Sequence, residues 1–324
     1  MYLNRLVLML LISINLTPPA FSQMTSDYPL RPVRVVNPSS LGGGGDVVAR
    51  ILTPELSRLL GQNFYVDNHP GAANIIATEI AAKAPADGYT LYLAATGTFV
   101  TNPLVYAKLP YSLSSFQTIS NVADAPFILS IHPSLPALNF KELLNLAKQQ
   151  PGQLTYASFG KGSTPHLAGE MLQVLTGIRL IHVPYKGSAP GMADLIGGNI
   201  TMTFDAGMAS IAQIRAKRIR PIGVAASKRL DVLSDLPTLE EQGLKQFYAG
   251  SWYGFMAPAA TPRPIIVKVY ETLIKALHQP RVEERIHNLG ASVGGSTPEA
   301  FFAQIQAEQL RWAEVVNKAG IKPE

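Results

Sequence analysis

Val35-Val36-Asn37-Pro38-Ser39-Ser40-Leu41-Gly42-Gly43-Gly44-Gly45-Asp46 passes from a β-rich run, through a glycine loop, into a helical pattern. A loop of this kind leaves backbone N–H groups bare beside a helix N-terminus, which is a ready anion site. Gly42-x-Gly44 is followed by Val47 where a dinucleotide fingerprint needs its third glycine, and no Gly-Lys-Ser/Thr follows for a P-loop. A surface linker would be equally rich in glycine, but the strand before and the helix after argue against one. Ser39, Ser40, Leu41, Gly42 and Gly43 are therefore candidate ligand contacts.

Three further strand ends repeat this chemistry. Tyr156-Ala-Ser158-Phe-Gly160-Lys-Gly162-Ser163-Thr164-Pro165-His166 ends a strand, frees the chain with glycines and opens a helix with proline in its first turn. Ser163 or Thr164 is the expected cap there. Val183-Pro184-Tyr185-Lys186-Gly187-Ser188-Ala189-Pro190 does the same, and Ala95-Thr96-Gly97-Thr98 follows another strand. Ligands of α/β folds bind outside the carboxyl ends of parallel strands. The candidates are thus Thr96, Gly97 and Thr98; Ser158, Gly160, Gly162, Ser163, Thr164 and His166; and Tyr185, Gly187 and Ser188. Asp205, just after the run Ile200–Phe204, is expected either to bond a ligand or loop N–H group or to act as a cap. Two or three helix termini, each contributing about 0.3–1 kcal/mol to an anion, can hold a carboxylate without a buried arginine.

Strands are predicted at Val33–Val36, Phe64–Asp67, Thr90–Ala95, Phe127–Ile131, Leu154–Ser158, Leu180–Val183, Ile200–Phe204 and Pro221–Ala225. Helical stripes lie between them, for example Val48, Leu52 and Leu56, or Leu167, Met171 and Val174/Leu175. Such alternation implies parallel-rich sheets with helices on their faces. Pro54 predicts a kink or a late start in the first helix. After about Thr261 the pattern is helical only, which suggests that the tail returns to cover the first lobe. Crossings between lobes are expected near Ala123–Pro126 and Tyr248–Trp252.

Met1–Arg5 carries one positive charge, Leu6–Leu16 is an apolar run of 11 residues, and Ala20-x-Ser22 follows. This is a secretory signal pattern over 1–22 and too short to span a bilayer. The remaining 302 residues suit two domains, and the lack of cysteine removes disulfides and thiol chemistry. A net charge of +4 after cleavage, evenly spread, excludes a nucleic-acid footprint. No His-Glu-x-x-His or Gly-x-Ser-x-Gly occurs, so no catalytic residue, metal or cofactor is expected. His166 is expected to pack or orient, and His182 to be structural.

The chain resembles the Bug-type extracytoplasmic receptors of tripartite tricarboxylate transport systems along the whole mature length. The matching segments include Tyr28-Pro29, Gly42–Asp46, Asn68-His69-Pro70-Gly71-Ala72, Pro85–Leu91, Asn102-Pro103, Tyr106–Tyr111, His166–Glu170, His182–Ser188, Phe204-Asp205 and Ser251–Gly254. The resemblance implies an α/β clamshell of the type II periplasmic binding protein class, two lobes joined by two crossover segments. Lobe 1 would be 23–124 plus 248–324, and lobe 2 would be 125–247. It implies capture of a di- or tricarboxylate or aromatic acid between the lobes and handover to a membrane permease. A sensor kinase is the alternative partner, and a hydrolase or lyase on Ser158, His166 and Asp205 the alternative activity.

Three departures bear on the ligand. Ser39-Ser40-Leu41 stands where the family usually carries an aromatic ring, Ala73-Asn74 where two glycines are common, and Ala206 where Asn is frequent. The lost ring predicts a wider cleft with two added hydroxyls. The expected ligand is bulkier than a four-carbon diacid, such as a longer or aromatic dicarboxylate.

Overall fold

The computed structural model describes residues 27–318 and 320–323; the expected signal segment lies outside them. In the first lobe, β1 (Val33–Asn37) pairs in parallel with β2 (Phe64–Asn68) and with β3 (Thr90–Ala95). In the second, β5 (Thr155–Ser158) pairs in parallel with β6 (Ile181–Pro184) and with β7 (Met202–Ala206). Beyond these ladders, parallel pairing among the described residues is limited to an isolated bridge between Val224 and Thr238. The centre is antiparallel, built on β4 (Phe116–Ile131), a strand of 16 residues that belongs to both sheets. Its first part pairs with β9 (Gly250–Pro258), and Phe127–Ile131 pairs with β7 and with β8 (Arg220–Val224).

The chain crosses between sheets where β4 and β9 run side by side, with Pro126 opposite Gly250. The Phe127 N–H donates to the Ala249 carbonyl at 2.9 Å, the Ala249 N–H to Ala225, and the Ala225 N–H back to Phe127. These bonds satisfy the backbone at both crossings and fix them side by side.

Helix α1 (Gly44–Leu60) runs unbroken through Pro54, so the predicted late start does not occur. Val48, Leu52 and Leu56 are fully buried beneath it. Helix α5 (Thr164–Thr176) buries Leu167 and Met171 but leaves Val174 and Leu175 about half exposed, so the predicted stripe reaches the core only in its first two turns. The terminal helices are α8 (Arg263–Leu277) and α9 (Pro280–Asn288), which pack on α1, and α10 (Pro298–Lys318), which packs on β4. A two-residue strand, β10 (Ser292–Val293), interrupts them. Phe301 of α10 meets Trp252 of β9 edge to face at 4.9 Å, and Trp312 is 1% exposed. Each such ring contributes on the order of 1.5–3 kcal/mol by burial.

Candidate ligand-binding site

Three helices begin at one cleft between the lobes: α1 at Gly44, α5 at Thr164 and α6 (Ser188–Ile196) at Ser188. The cleft is narrow where the lobes meet, with a cavity of about 40 Å3. Helix starts leave N–H groups without intrahelical acceptors, and their dipoles place partial positive charge at the same point. Among the described residues no lysine or arginine lines the cleft. The first lobe supplies Ser39, Ser40, Gly43, Gly44, Asn74 and Gly97 to the wall; the second supplies Ser163, Thr164, Gly187 and Ser188. A Cβ on Gly44 would lie 2.0 Å from the Tyr253 hydroxyl, so only glycine lets β9 approach this helix start.

The loop that opens α1 is held from behind. The Gly42 N–H donates to Asp46 at 3.0 Å, while Asn68 bridges Asp46 (3.0 Å) and the Ser39 carbonyl (2.8 Å). Ser40 does not stand free in a widened cleft: its hydroxyl accepts the Ala189 N–H across the lobes at 3.3 Å. Thr101 and Tyr106 add cross-lobe bonds to the carbonyls of Gly162 (2.6 Å) and Lys161 (2.7 Å). Leu41 is 66% exposed on the outside of the loop.

Ala72, Ala73 and Asn74 all adopt positive φ (45°, 49° and 77°). Asn tolerates this left-handed region, whereas Ala72 and Ala73 hold it at a conformational cost of about 1–2 kcal/mol each. Asn74 faces the cleft, and its amide reaches the Thr98 hydroxyl at 3.5 Å.

Several expected contacts sit behind the wall instead. Thr96 binds the Trp252 N–H at 2.8 Å, and Thr98 is buried against Tyr92. The Ser163 hydroxyl donates to the Gly160 carbonyl at 2.6 Å and caps nothing. Ser158 lies 2.5 Å from His182 and bonds the Gly160 backbone. His166 accepts the Gly162 N–H at Nδ1 (3.2 Å), so Gly160 and Gly162 belong to a braced turn rather than to the lining. The two imidazoles lie 4.2 Å apart, tilted by 36°, and burial pushes each down to about 4, so both are neutral at pH 7. Tyr185 points away from the cleft and donates to Asp194 at 2.6 Å.

Asp205 is fully buried. It accepts the Ser188 hydroxyl at 2.5 Å and the Ala206 N–H at 2.8 Å, and burial pushes its carboxyl up to about 7. It therefore fixes the start of α6 and bonds Ser188 rather than His166. The grouping of Ser158, His166 and Asp205 needed for hydrolysis does not assemble.

The sequence reading missed Pro38, Gly44, Asn74, Ala95, Phe127, Phe159, Pro165, Ser251 and Tyr253 among the lining residues. Phe159 stood inside a quoted loop and was passed over for its polar neighbours. Phe127, Ser251 and Tyr253 lie at the crossings, where only the assembled fold brings β4 and β9 to the cleft.

The profile of the family described as Tripartite tricarboxylate transporter family receptor, TctC, matches residues 48–321. The chain belongs to that receptor family. Its members are transport receptors and not enzymes. Protein BugT of Bordetella pertussis is 33% identical over 324 residues, spanning 99% of each chain. A solved structure of R. palustris Rpa4515 with adipate superposes with a TM-score of 0.90 at 36% identity, covering 92% of this chain and all of that one. MatC of Rhodopseudomonas palustris, with bound malate, gives 0.85 at 31% identity, covering 89% of this chain and all of that one.

Proposed function

We propose that this protein is an extracytoplasmic receptor that captures a small carboxylate between its lobes and delivers it to a permease of the tripartite tricarboxylate type. The observation that carries this reading is the meeting of three helix N-termini, drawn from both lobes, at a cleft without a cationic side chain. Such a site favours an anion by dipoles and N–H groups and gives it more partners when the lobes meet. The adipate and malate held by two relatives support the same chemistry. The candidate contacts are Ser39, Ser40, Gly43, Gly97, Ser163, Thr164, Gly187 and Ser188.

Residues 1–22 direct export to the periplasm in this reading. Among residues 27–318 and 320–323 no helix is long and apolar enough to cross a membrane. The moving bodies are 23–124 with 248–324, and 125–247, turning about the paired crossings. Native mass spectrometry of the protein as purified, followed by thermal shift against mono-, di- and tricarboxylates, tests the reading. A carried acid, or a rise in Tm with one of these classes, is the expected result. Stabilisation by none of them would sink it.

A further inference from the structure

A second hollow lies outside the cleft, in a groove where α5 of the second lobe meets α10 of the first. It shares no lining residue with the cleft. Its cavity of about 400 Å3 falls in the range of small-molecule sites, about 300–1,000 Å3. Met171, Val174 and Leu175 of α5 and Val315 of α10 give it an apolar lining. Val174 and Leu175 are 46% and 51% exposed, so the end of α5 leaves in water an apolar face that a bound body would cover.

The same wall carries three cations, Lys245, Arg311 and Lys318, against one carboxylate, Glu314. Among the described residues none of the three cations is in an ion pair. The Arg311 guanidinium is held in place by a bond to the Tyr248 carbonyl at 3.0 Å. The cleft attracts an anion by helix termini alone, whereas this groove does so with full charges beside apolar surface. The chain reaches the groove through Gln246 at φ 56°, a left-handed conformation that non-glycine residues keep mostly at binding and switch sites. An α-helix is about 10–12 Å across, so the space holds only about one turn of one. That size favours a small molecule over a docked helix.

We propose that this groove is a second binding site, taking an amphipathic organic anion. Its acidic head would lie among Lys245, Arg311 and Lys318, and its flexible apolar tail along Val174, Leu175 and Val315. The site stands apart from the carboxylate-receptor reading, because it uses none of the cleft's residues. Its walls come from both 125–247 and 248–324, so an occupant touches both of the moving bodies proposed above.

The test is calorimetric titration of the folded protein with hexanoate, octanoate and decanoate, each below its micellar range, and with decyltrimethylammonium. Affinity should rise severalfold with each added pair of methylenes, since each pair covers more of the apolar wall. The decyl cation should bind at least tenfold more weakly than decanoate. Val174→Ser with Leu175→Ser, at half-exposed positions, should weaken decanoate at least tenfold and leave the urea midpoint of the ligand-free protein unchanged. Lys245→Glu with Lys318→Glu should invert the preference, so that the decyl cation binds more tightly than decanoate. Thr164→Val, in the cleft, should leave decanoate affinity within twofold. A loss in Thr164→Val without one in the serine variant would place decanoate in the cleft, overturning the proposal while supporting the receptor reading. Absence of decanoate binding would overturn it as well. So would dimers seen by light scattering in place of binding and abolished in the serine variant, which would make the groove a contact between copies of the chain.

Discussion

The Ser40 hydroxyl, on the loop that opens α1 in the first lobe, accepts the N–H of Ala189 in the first turn of α6 in the second. One lobe thus caps a helix of the other, and Gly187 packs so closely that a Cβ there would lie 2.9 Å from the same hydroxyl oxygen. Capping bonds contribute about 0.5–2 kcal/mol. This one exists only while the lobes meet. Ser40→Ala should therefore weaken ligand binding by about threefold to tenfold, with an unfolding midpoint in urea unchanged for the ligand-free protein. Titration calorimetry and a denaturation curve together check it.

Thr164 presents the first residue of α5 to the cleft, and no hydrogen bond within the described residues engages its hydroxyl. Thr164→Val keeps shape and removes the donor. Loss of one hydrogen bond to a charged group corresponds to about 1.5–3 kcal/mol, so Kd should rise roughly tenfold or more. An unchanged Kd would remove Thr164 from the anion site.

Gly162 adopts φ +81°, and a Cβ on it would fall 2.3 Å from Val105 across the lobes. Gly162→Ala should hold the lobes apart. Small-angle scattering with saturating ligand is expected to show the larger radius of gyration of the unliganded protein, and affinity should drop more than tenfold.

Asp205 and the histidine pair pull stability in opposite directions with pH. A carboxyl raised by burial from 3.8 to about 7 binds more protons folded than unfolded, so its contribution falls as pH rises from about 4 to 7. His166 and His182, pushed down from 6.5 to about 4, bind fewer protons folded, so their contribution grows over nearly the same range. Asp205→Asn should leave the histidines unopposed. Unfolding free energy should then rise more steeply between pH 4.5 and 6.5 than in the unmodified protein. A flatter curve in the variant would contradict the assignment.

Ala73 in the left-handed region is an avoidable strain. Ala73→Gly should raise stability by about 1 kcal/mol, read as a higher urea midpoint with the same slope.

The strand-to-helix loops were legible because glycine, hydroxyl residues and an early proline mark helix starts by local chemistry, as at Gly160–Pro165. The central strands were not. Phe116–Pro126 alternates polar and apolar residues weakly, and the Asn121 amide within it donates to Asp124 at 3.0 Å and to Gln304 of α10, 183 residues away, at 3.1 Å. The same distance hides the cleft floor: nothing local in Phe127 or Tyr253 distinguishes them from core aromatics. Thr98, Ser158 and Asp205 erred the other way. Polar residues at strand ends can face a ligand or brace the loop that does, and the choice depends on neighbours such as Tyr92, His182 and Ser188.

The bond between the Phe127 N–H and the Ala249 carbonyl brings the two ends of the intervening chain to one spot. A stretch that leaves and rejoins its host at a single point behaves as a cassette. It can be exchanged for the corresponding stretch of a relative without rerouting the rest of the chain. Phe159, Thr164 and Ser188 all travel within it, while Ser39, Ser40 and Gly44 stay behind. In such a lineage, taste for the body of the ligand can change by recombination while the grip on its carboxylate from the first lobe is inherited intact.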